Sequence, residues 1–131
     1  MAAKPFQCPI IIRKEDIDQL GHVNNVVYLK WVQEAAAAHW NFIATPEMKK
    51  DHVWVVSRHE IDYLRSCFLE SKLFATTWVG EIDGAKSERY VEIKDTETNK
   101  VIAKVKTVWT LLDAANKRPK RITEDFINLF R

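Results

Sequence analysis

The sequence predicts an α+β fold in which one long helix packs against an antiparallel sheet. Three observations support this prediction. A helix-like stretch covers residues 26–42, a series of strand-like runs follows it, and short polar turns rather than helices separate those runs. A doubly wound parallel sheet would need a helix at each crossover, so the order of the elements argues against that fold.

The first half of the chain supplies one strand and the helix. A strand is predicted over residues 6–13, where three isoleucines follow one another at positions 10–12. In the helix, apolar residues recur at steps of three and four, as a single buried stripe requires. The predicted stripe consists of Val27, Trp31, Ala35, Ala38 and Phe42. Thr45 and Pro46 should end the helical region, because the residue before a proline disfavours helical backbone.

The second half supplies four strands, predicted over residues 53–64, 73–82, 86–94 and 101–112. Asp83 and Gly84 form a strong hairpin signal between the second and third of these. The last strand shows the clearest alternation of inward and outward residues. Its inward set is Val101, Ala103, Val105, Thr107, Trp109 and Leu111. A short terminal helix is predicted over residues 123–130, with Thr123 as its N-cap.

Length and composition predict one domain that spans residues 1–131. The chain is 47% hydrophobic and 29% charged, which is typical of a globular protein. A net charge of +2 is too balanced to indicate nucleic-acid binding. No apolar run approaches the ~20 residues that span a bilayer, and no secretory signal is visible. Since no secretory signal is visible, we expect a cytoplasmic protein. The two cysteines and the histidines lack metal-ligand spacing, so we expect no metal or other cofactor.

The residues just before the helix form the candidate site. They place a carboxylate, Asp18, and an imidazole, His22, beside the predicted helix start, where unpaired N–H groups can face a ligand. Asn24 and Asn25 are good N-cap residues, and Gly21 permits a tight turn before them. Such a site suits the stabilisation of negative charge on an acyl carbonyl oxygen.

A longer pattern around these residues resembles the signature of hotdog-fold thioesterases. It is the run Asp18-x-x-Gly21-His22-Val23-Asn24-Asn25-x-x-Tyr28-Leu29-x-Trp31-x-x-Glu34. The run is similar to that of the 4-hydroxybenzoyl-CoA thioesterase-like group and of the acyl-carrier-protein thioesterases of plants and bacteria. The resemblance implies a hotdog fold, with a long central helix wrapped by a curved antiparallel sheet. It also implies hydrolysis of an acyl-CoA or acyl-carrier-protein thioester by a homodimer or homotetramer.

The resemblance assigns roles to four residues. Asp18 would be either the nucleophile or the general base that activates water, and its spacing to Gly21 and His22 favours it over Asp16. His22 would orient the thioester carbonyl or Asp18, and Asn25 would hold a water or a side chain. Glu34 would be catalytic or would support the site, often from across a dimer interface. The plant enzymes have an asparagine two residues after the aspartate, where this chain has Leu20.

Five polar residues are candidates for binding the phosphates of coenzyme A, because guanidinium, ammonium and hydroxyl groups suit phosphate oxygens. They are Arg65, Ser66, Lys86, Ser87 and Arg89. The aromatic residues supply bulk for an acyl pocket and equally for a core. Two other functions remain open, a non-catalytic acyl-thioester binding module and a dehydratase of the same architecture.

Overall fold

A computed structural model describes residues 4–131 as a five-stranded antiparallel sheet with a long helix across one face. In chain order the elements are β1 (Phe6–Ile10), a 3₁₀ turn (Lys14–Asp16), α1 (Asn25–Ile43), α2 (Pro46–Asp51), β2 (His52–Tyr63), β3 (Leu73–Asp83), β4 (Lys86–Asp95), β5 (Val101–Asp113) and α3 (Glu124–Phe130). The α+β class and the order of the main elements are as predicted. In this part of the chain, no helix is long and apolar enough to cross a membrane.

The strands lie in the order β1-β3-β4-β5-β2, and every neighbouring pair is antiparallel. The β3–β4 connection is a two-residue hairpin loop formed by Gly84 and Ala85, one residue later than the predicted Asp83–Gly84 turn. Gly84 has φ +62°, a left-handed conformation that favours glycine. The sheet therefore has two edges, the five-residue β1 and the twelve-residue β2.

The core lies between one face of α1 and the inner face of the sheet. Alternate residues of β3, β4 and β5 point inward, as the pleat of a strand dictates. The main cluster includes Val27, Trp31, Val32 and Ala35 from α1, and Leu73, Ala75, Val91, Ile93, Ala103 and Val105 from the strands. Cys67 is also buried there.

Two details of the predicted helical stripe are wrong. Phe42 is 77% exposed, and Ala38 is only half-buried, whereas Tyr28, Ala36 and His39 are buried. Phe42 lies in the last turn of α1, where its ring packs at 5.5 Å, centroid to centroid, against Phe6 of the edge strand β1. The periodicity of a helix identifies its inner face but not where the sheet beneath it ends.

The structure also corrects two boundaries. Thr45 and Pro46 follow α1 as predicted but begin the unpredicted helix α2, because the Thr45 hydroxyl accepts a hydrogen bond from the Met48 N–H at 3.1 Å and proline suits the first helical position. Strand β1 ends at Ile10 rather than at residue 13. The Arg13 N–H instead donates to Asp16 Oδ2 at 2.9 Å and starts the 3₁₀ turn.

Candidate active site

The loop that carries Asp18 is closed by its own backbone. Ile17 and Val23 form an isolated antiparallel bridge, and between them the Asp18 N–H donates to the His22 carbonyl at 2.8 Å. Gly21 turns the chain with φ +82° and donates its N–H to the Asp18 carbonyl at 3.1 Å. Since a left-handed backbone favours glycine, the sequence encodes this turn locally.

Two backbone amides orient the Asp18 carboxylate. Its Oδ1 accepts from the Leu20 N–H at 2.9 Å and from the His22 N–H at 3.3 Å. Its Oδ2 makes no hydrogen bond with the described residues 4–131. One oxygen therefore fixes the side chain, and the other remains available to attack a carbonyl or to accept a proton.

The start of α1 leaves one amide free beside this carboxylate. Asn24 is the N-cap, as predicted: its side-chain oxygen accepts from the Val26 N–H at 3.2 Å, and its carbonyl accepts from the Val27 N–H at 3.0 Å. The Asn25 N–H has no hydrogen-bond partner in the described part of the chain. Of these three first amides, Asn25 thus offers the donor that can face a ligand.

Asp16 lies in a different environment from Asp18, although only one residue separates them. Its side chain is buried, Oδ2 accepts from the Arg13 N–H, and Oδ1 lies 3.5 Å from Lys30 Nζ. The Asp16 carbonyl also accepts from the Asn24 N–H at 2.8 Å. These bonds tie the 3₁₀ turn to the start of α1, so the part Asp16 plays is structural.

A cavity of about 440 Å³ brings together most of the predicted site. Asp18, His22, Asn25, Arg65 and Ser66 all line it. The last two lie at exposed positions just beyond β2. The arrangement places a carboxylate, an imidazole and a free helix-start amide around one space, with a guanidinium beside them.

Aromatic residues missed by the sequence prediction support this cavity. The Tyr63 hydroxyl donates to the Asn25 carbonyl at 3.2 Å, and the ring of His22 contacts that of Phe68 edge-on at 5.1 Å. Behind them the Tyr28 hydroxyl lies 3.1 Å from Cys67 Sγ. Burial raises the pKa of both groups, so the Cys67 thiol stays protonated at neutral pH and is unsuited to act as a nucleophile.

A second cavity, of about 480 Å³, is lined by residues 30–40 of α1 and by residues of β2, the inner face of β4 and β5, and α3. Its aromatic lining residues include Trp40, Trp54, Trp109 and Phe130. Glu34 also lines it but is exposed.

The structure does not keep the five predicted phosphate-binding residues together. Ser87 and Arg89 are buried on the inner face of β4 and line the larger cavity. Lys86 is exposed at the hairpin and lines neither cavity. Residues that are close in a strand alternate between its two faces, so the predicted cluster at positions 86–89 is divided. Arg65 and Ser66 remain beside Asp18.

Arg89 was a predicted site residue, but its buried pairing with His39 and Thr77 at the larger cavity was not predicted. Arg89 Nη1 donates to His39 Nδ1 at 2.9 Å and to Thr77 Oγ1 at 3.0 Å. Burial and the Arg89 charge lower the pKa of His39 to about 4, while burial lowers the pKa of Arg89 to about 10. At neutral pH the arginine is charged and the histidine is a neutral acceptor. Arg89 shares its strand face with Val91 and Ile93, and this alternation is the sequence signal from which its inward side chain could have been predicted.

The two cavities share no lining residue. Glu34 lies nine positions after Asn25 in α1, which corresponds to about 13 Å along the helix axis. Within one chain, Asp18 and Glu34 therefore lie in separate cavities.

Comparison with known proteins identifies the family. The family model for the N-terminal domain of acyl-ACP thioesterases matches residues 4–130. A chloroplastic acyl-[acyl-carrier-protein] hydrolase of Cuphea viscosissima is 25% identical over 114 residues. The match covers 86% of this chain and 28% of that protein, so the chain spans only about a quarter of the length of this curated relative.

Solved structures show the same fold at low sequence identity. A 1,4-dihydroxy-2-naphthoyl-CoA thioesterase from Synechocystis superposes with a TM-score of 0.83 at 13% identity, covering 97% of this chain and 96% of that one. An aspartate-to-asparagine mutant of 4-hydroxybenzoyl CoA thioesterase, complexed with 4-hydroxybenzoyl CoA, gives 0.86 at 14% identity, covering 98% and 100%. The chain therefore has the predicted hotdog fold and belongs to the acyl-ACP thioesterase family, whose N-terminal domain it matches over residues 4–130.

Proposed function

We propose that the protein hydrolyses acyl thioesters of phosphopantetheine, carried by acyl carrier protein or by coenzyme A, with Asp18 as the reacting carboxylate. The observation that carries this proposal is the cavity beside Asp18. There one carboxylate oxygen is fixed by two amides, the other is free, and the unpaired Asn25 N–H lines the same space. Membership of a thioesterase family supports the same chemistry.

Two routes are consistent with a free Asp18 oxygen. As a general base, Asp18 takes a proton from water, whose oxygen then attacks the thioester carbon. As a nucleophile, Asp18 attacks that carbon itself, and water hydrolyses the resulting anhydride. In both routes the C–S bond breaks, the thiolate takes up a proton and a carboxylic acid is released. After a single turnover in ¹⁸O-labelled water, label in the Asp18 carboxylate would identify the anhydride route.

The negative charge that develops on the thioester oxygen needs a fixed donor. The Asn25 N–H is unpaired within residues 4–131 and lies at the positive end of the α1 dipole, so we assign it this task. His22 lines the same cavity and would orient the carbonyl. Leu20 stands where the plant enzymes carry an asparagine, and here its backbone N–H holds Asp18. The mechanism proposed for this chain therefore needs no asparagine side chain at position 20.

The phosphopantetheine arm and the acyl group would occupy different surfaces. Arg65 and Ser66 are exposed beside Asp18 and suit a phosphate. The larger cavity, of about 480 Å³, has the size and the apolar walls expected of an acyl site. Because Asp18 does not line that cavity, we infer that the complete site forms between two chains, in a homodimer or in a homotetramer built from such dimers.

The experiment is a panel of acyl thioesters of different chain lengths, each carried by coenzyme A and by acyl carrier protein. Release of free thiol is measured for each compound. Turnover of at least one series supports the proposal, and the ratio of the two series identifies the carrier. If no thioester is cleaved while an acyl-CoA still binds, the chain is a non-catalytic binding module.

A further inference from the structure

The larger cavity contains a charge that the fold itself does not neutralise. The Arg89 side chain is only 6% exposed, and no carboxylate of residues 4–131 forms an ion pair with it. Both of its hydrogen bonds use Nη1, and their acceptors, His39 and Thr77, are neutral at pH 7. Nη2 and Nε make no hydrogen bond to the described residues. A buried cation in this situation is costly unless a partner arrives.

A second unsatisfied donor lies next to it. The indole Nε1 of Trp109 is buried without a hydrogen-bond partner in the described structure, and Trp109 lines the same cavity. Arg89 is paired in register with Thr107 of β5, and Trp109 lies two residues further along that strand. The two donors are therefore diagonal neighbours on one face of the sheet, with Cα atoms about 7–8 Å apart.

The rest of the cavity indicates what kind of ligand the guanidinium would bind. The rings of Trp40, Trp54 and Phe130 form apolar walls, and the Arg89 guanidinium lies 5.7 Å from the Phe130 ring centroid. Lys30, Gln33 and Glu34 also line the cavity, but they are exposed. A cavity with apolar walls and a buried guanidinium fits an aliphatic chain with an anionic acceptor on it. A plain alkyl chain would fill the space but would leave Nη2 and Nε of Arg89 without an acceptor.

We propose that Arg89 forms a carboxylate subsite beside Trp109, so that the acyl group of the substrate carries a carboxylate of its own. This inference rests on the proposed function, because it assigns the acyl group to the larger cavity. The guanidinium would bind the carboxylate through Nη2 and Nε while Nη1 stays on His39 and Thr77. The substrate class is then an ω-carboxyacyl thioester rather than a simple fatty acyl thioester.

The test measures binding separately from catalysis. Octyl-coenzyme A and 7-carboxyheptyl-coenzyme A are thioethers of equal chain length that cannot be hydrolysed, and calorimetry gives the affinity of each. We expect the wild-type protein to bind the carboxylated compound about tenfold or more tightly. Equal binding, a preference for octyl-coenzyme A, or no binding of either compound would overturn the inference.

Variants assign the preference to Arg89. Arg89→Gln should abolish it, whereas Arg89→Lys, which keeps the charge, should retain part of it. Arg121→Gln is the matched control, because Arg121 is exposed between β5 and α3 and lines neither cavity, and it should leave the preference unchanged. If Arg89→Gln does not fold, the wild-type ratio alone decides. Lack of turnover of every thioester in the panel, on either carrier, would contradict the proposed function, while the thioether ratio would still test the subsite.

Discussion

At the scale of single residues, the chemistry depends on which oxygen of a carboxylate is left free. Asp16 and Asp18 are both aspartates and only one residue separates them, so their different hydrogen bonds distinguish them. Both oxygens of Asp16 are engaged, by Arg13 and by Lys30. Asp18 has one oxygen engaged and one free, and it lines a cavity. These environments give Asp16 a structural role and leave Asp18 as the carboxylate that we propose to react.

We predict that Asp18→Asn lowers the rate of thiol release by about 10²–10⁴-fold. The amide oxygen of asparagine can still accept from Leu20 and His22, so the loop should keep its shape. It can neither attack a carbonyl nor take a proton from water. His22→Ala should cost less, because we assign His22 to orientation. Retention of more than about a tenth of the wild-type rate in Asp18→Asn would refute the assignment.

Asp16→Asn provides the matched comparison. It removes the charge that faces Lys30, so it should lower the free energy of unfolding by about 1–3 kcal/mol. The rate per folded molecule should change much less than in Asp18→Asn. The two effects are separated by denaturant titration and by rates normalised to folded protein. A larger loss of turnover in Asp16→Asn would reverse the two roles.

The neutral state of His39 predicts an acid-sensitive fold. Its pKa is about 4 in the folded protein, against 6.5 as its ordinary value. The unfolded chain therefore binds the proton more readily, and the free energy of unfolding should fall as the pH drops from about 6.5 to 4, by at most about 3 kcal/mol. His39→Gln keeps an acceptor for Arg89 but does not titrate, so this slope should flatten. An unchanged slope in denaturant titrations at several pH values would refute the prediction.

Sequence patterns predicted the loop of the candidate site better than its partners elsewhere in the chain. The spacing of Asp18, Gly21, His22 and the two asparagines identified the loop and the helix cap, because those features depend on neighbours in the chain. The contact of Tyr63 with Asn25 and the pairing of Arg89 with His39 join residues 38 and 50 positions apart. Such pairs depend on strand register, which a single sequence does not specify.

At the scale of elements, α1 contains four consecutive alanines at positions 35–38, and two of them have different surroundings. Ala35 is 1% exposed and packs in the core, whereas Ala36 lines the larger cavity. Ala35→Leu should therefore destabilise the fold by about 1–3 kcal/mol, the usual cost of overpacking. Ala36→Leu should cost less, because its extra methyl groups can enter the cavity.

The comparison is made by thermal and denaturant unfolding. Ala115→Leu adds the same atoms at an exposed turn and should change the free energy of unfolding by no more than about 0.5 kcal/mol. If Ala35→Leu behaved like Ala115→Leu, the close approach of α1 to the sheet would be wrong. Strong periodicity predicted both α1 and β5, whereas the six-residue α2 was too short to show it.

At the scale of the whole molecule, the two edges of the sheet differ in their capacity to pair. Strand β1 has five residues, and Pro9 within it lacks an N–H donor. Strand β2 has twelve residues and pairs with β5 on one side only. A long unpaired edge is a template for another strand. We therefore expect two chains to join through β2, and sedimentation that shows only monomer at micromolar concentration would contradict this.

Complementation of two inactive variants tests whether such a dimer shares its active sites. Within one chain Asp18 and Glu34 line separate cavities, and Glu34 lies about 13 Å along α1 from Asn25, so we expect a site that uses both to take them from different chains. Asp18→Asn and Glu34→Gln should each lose most activity alone. After unfolding and refolding together, half of the dimers would be mixed, each with one intact site, and about a quarter of the wild-type rate should return.

The control is each variant refolded by itself, which should regain nothing. A mixture that forms dimers but stays inactive would place both residues in one chain's site, and full activity of Glu34→Gln alone would remove Glu34 from the catalytic machinery.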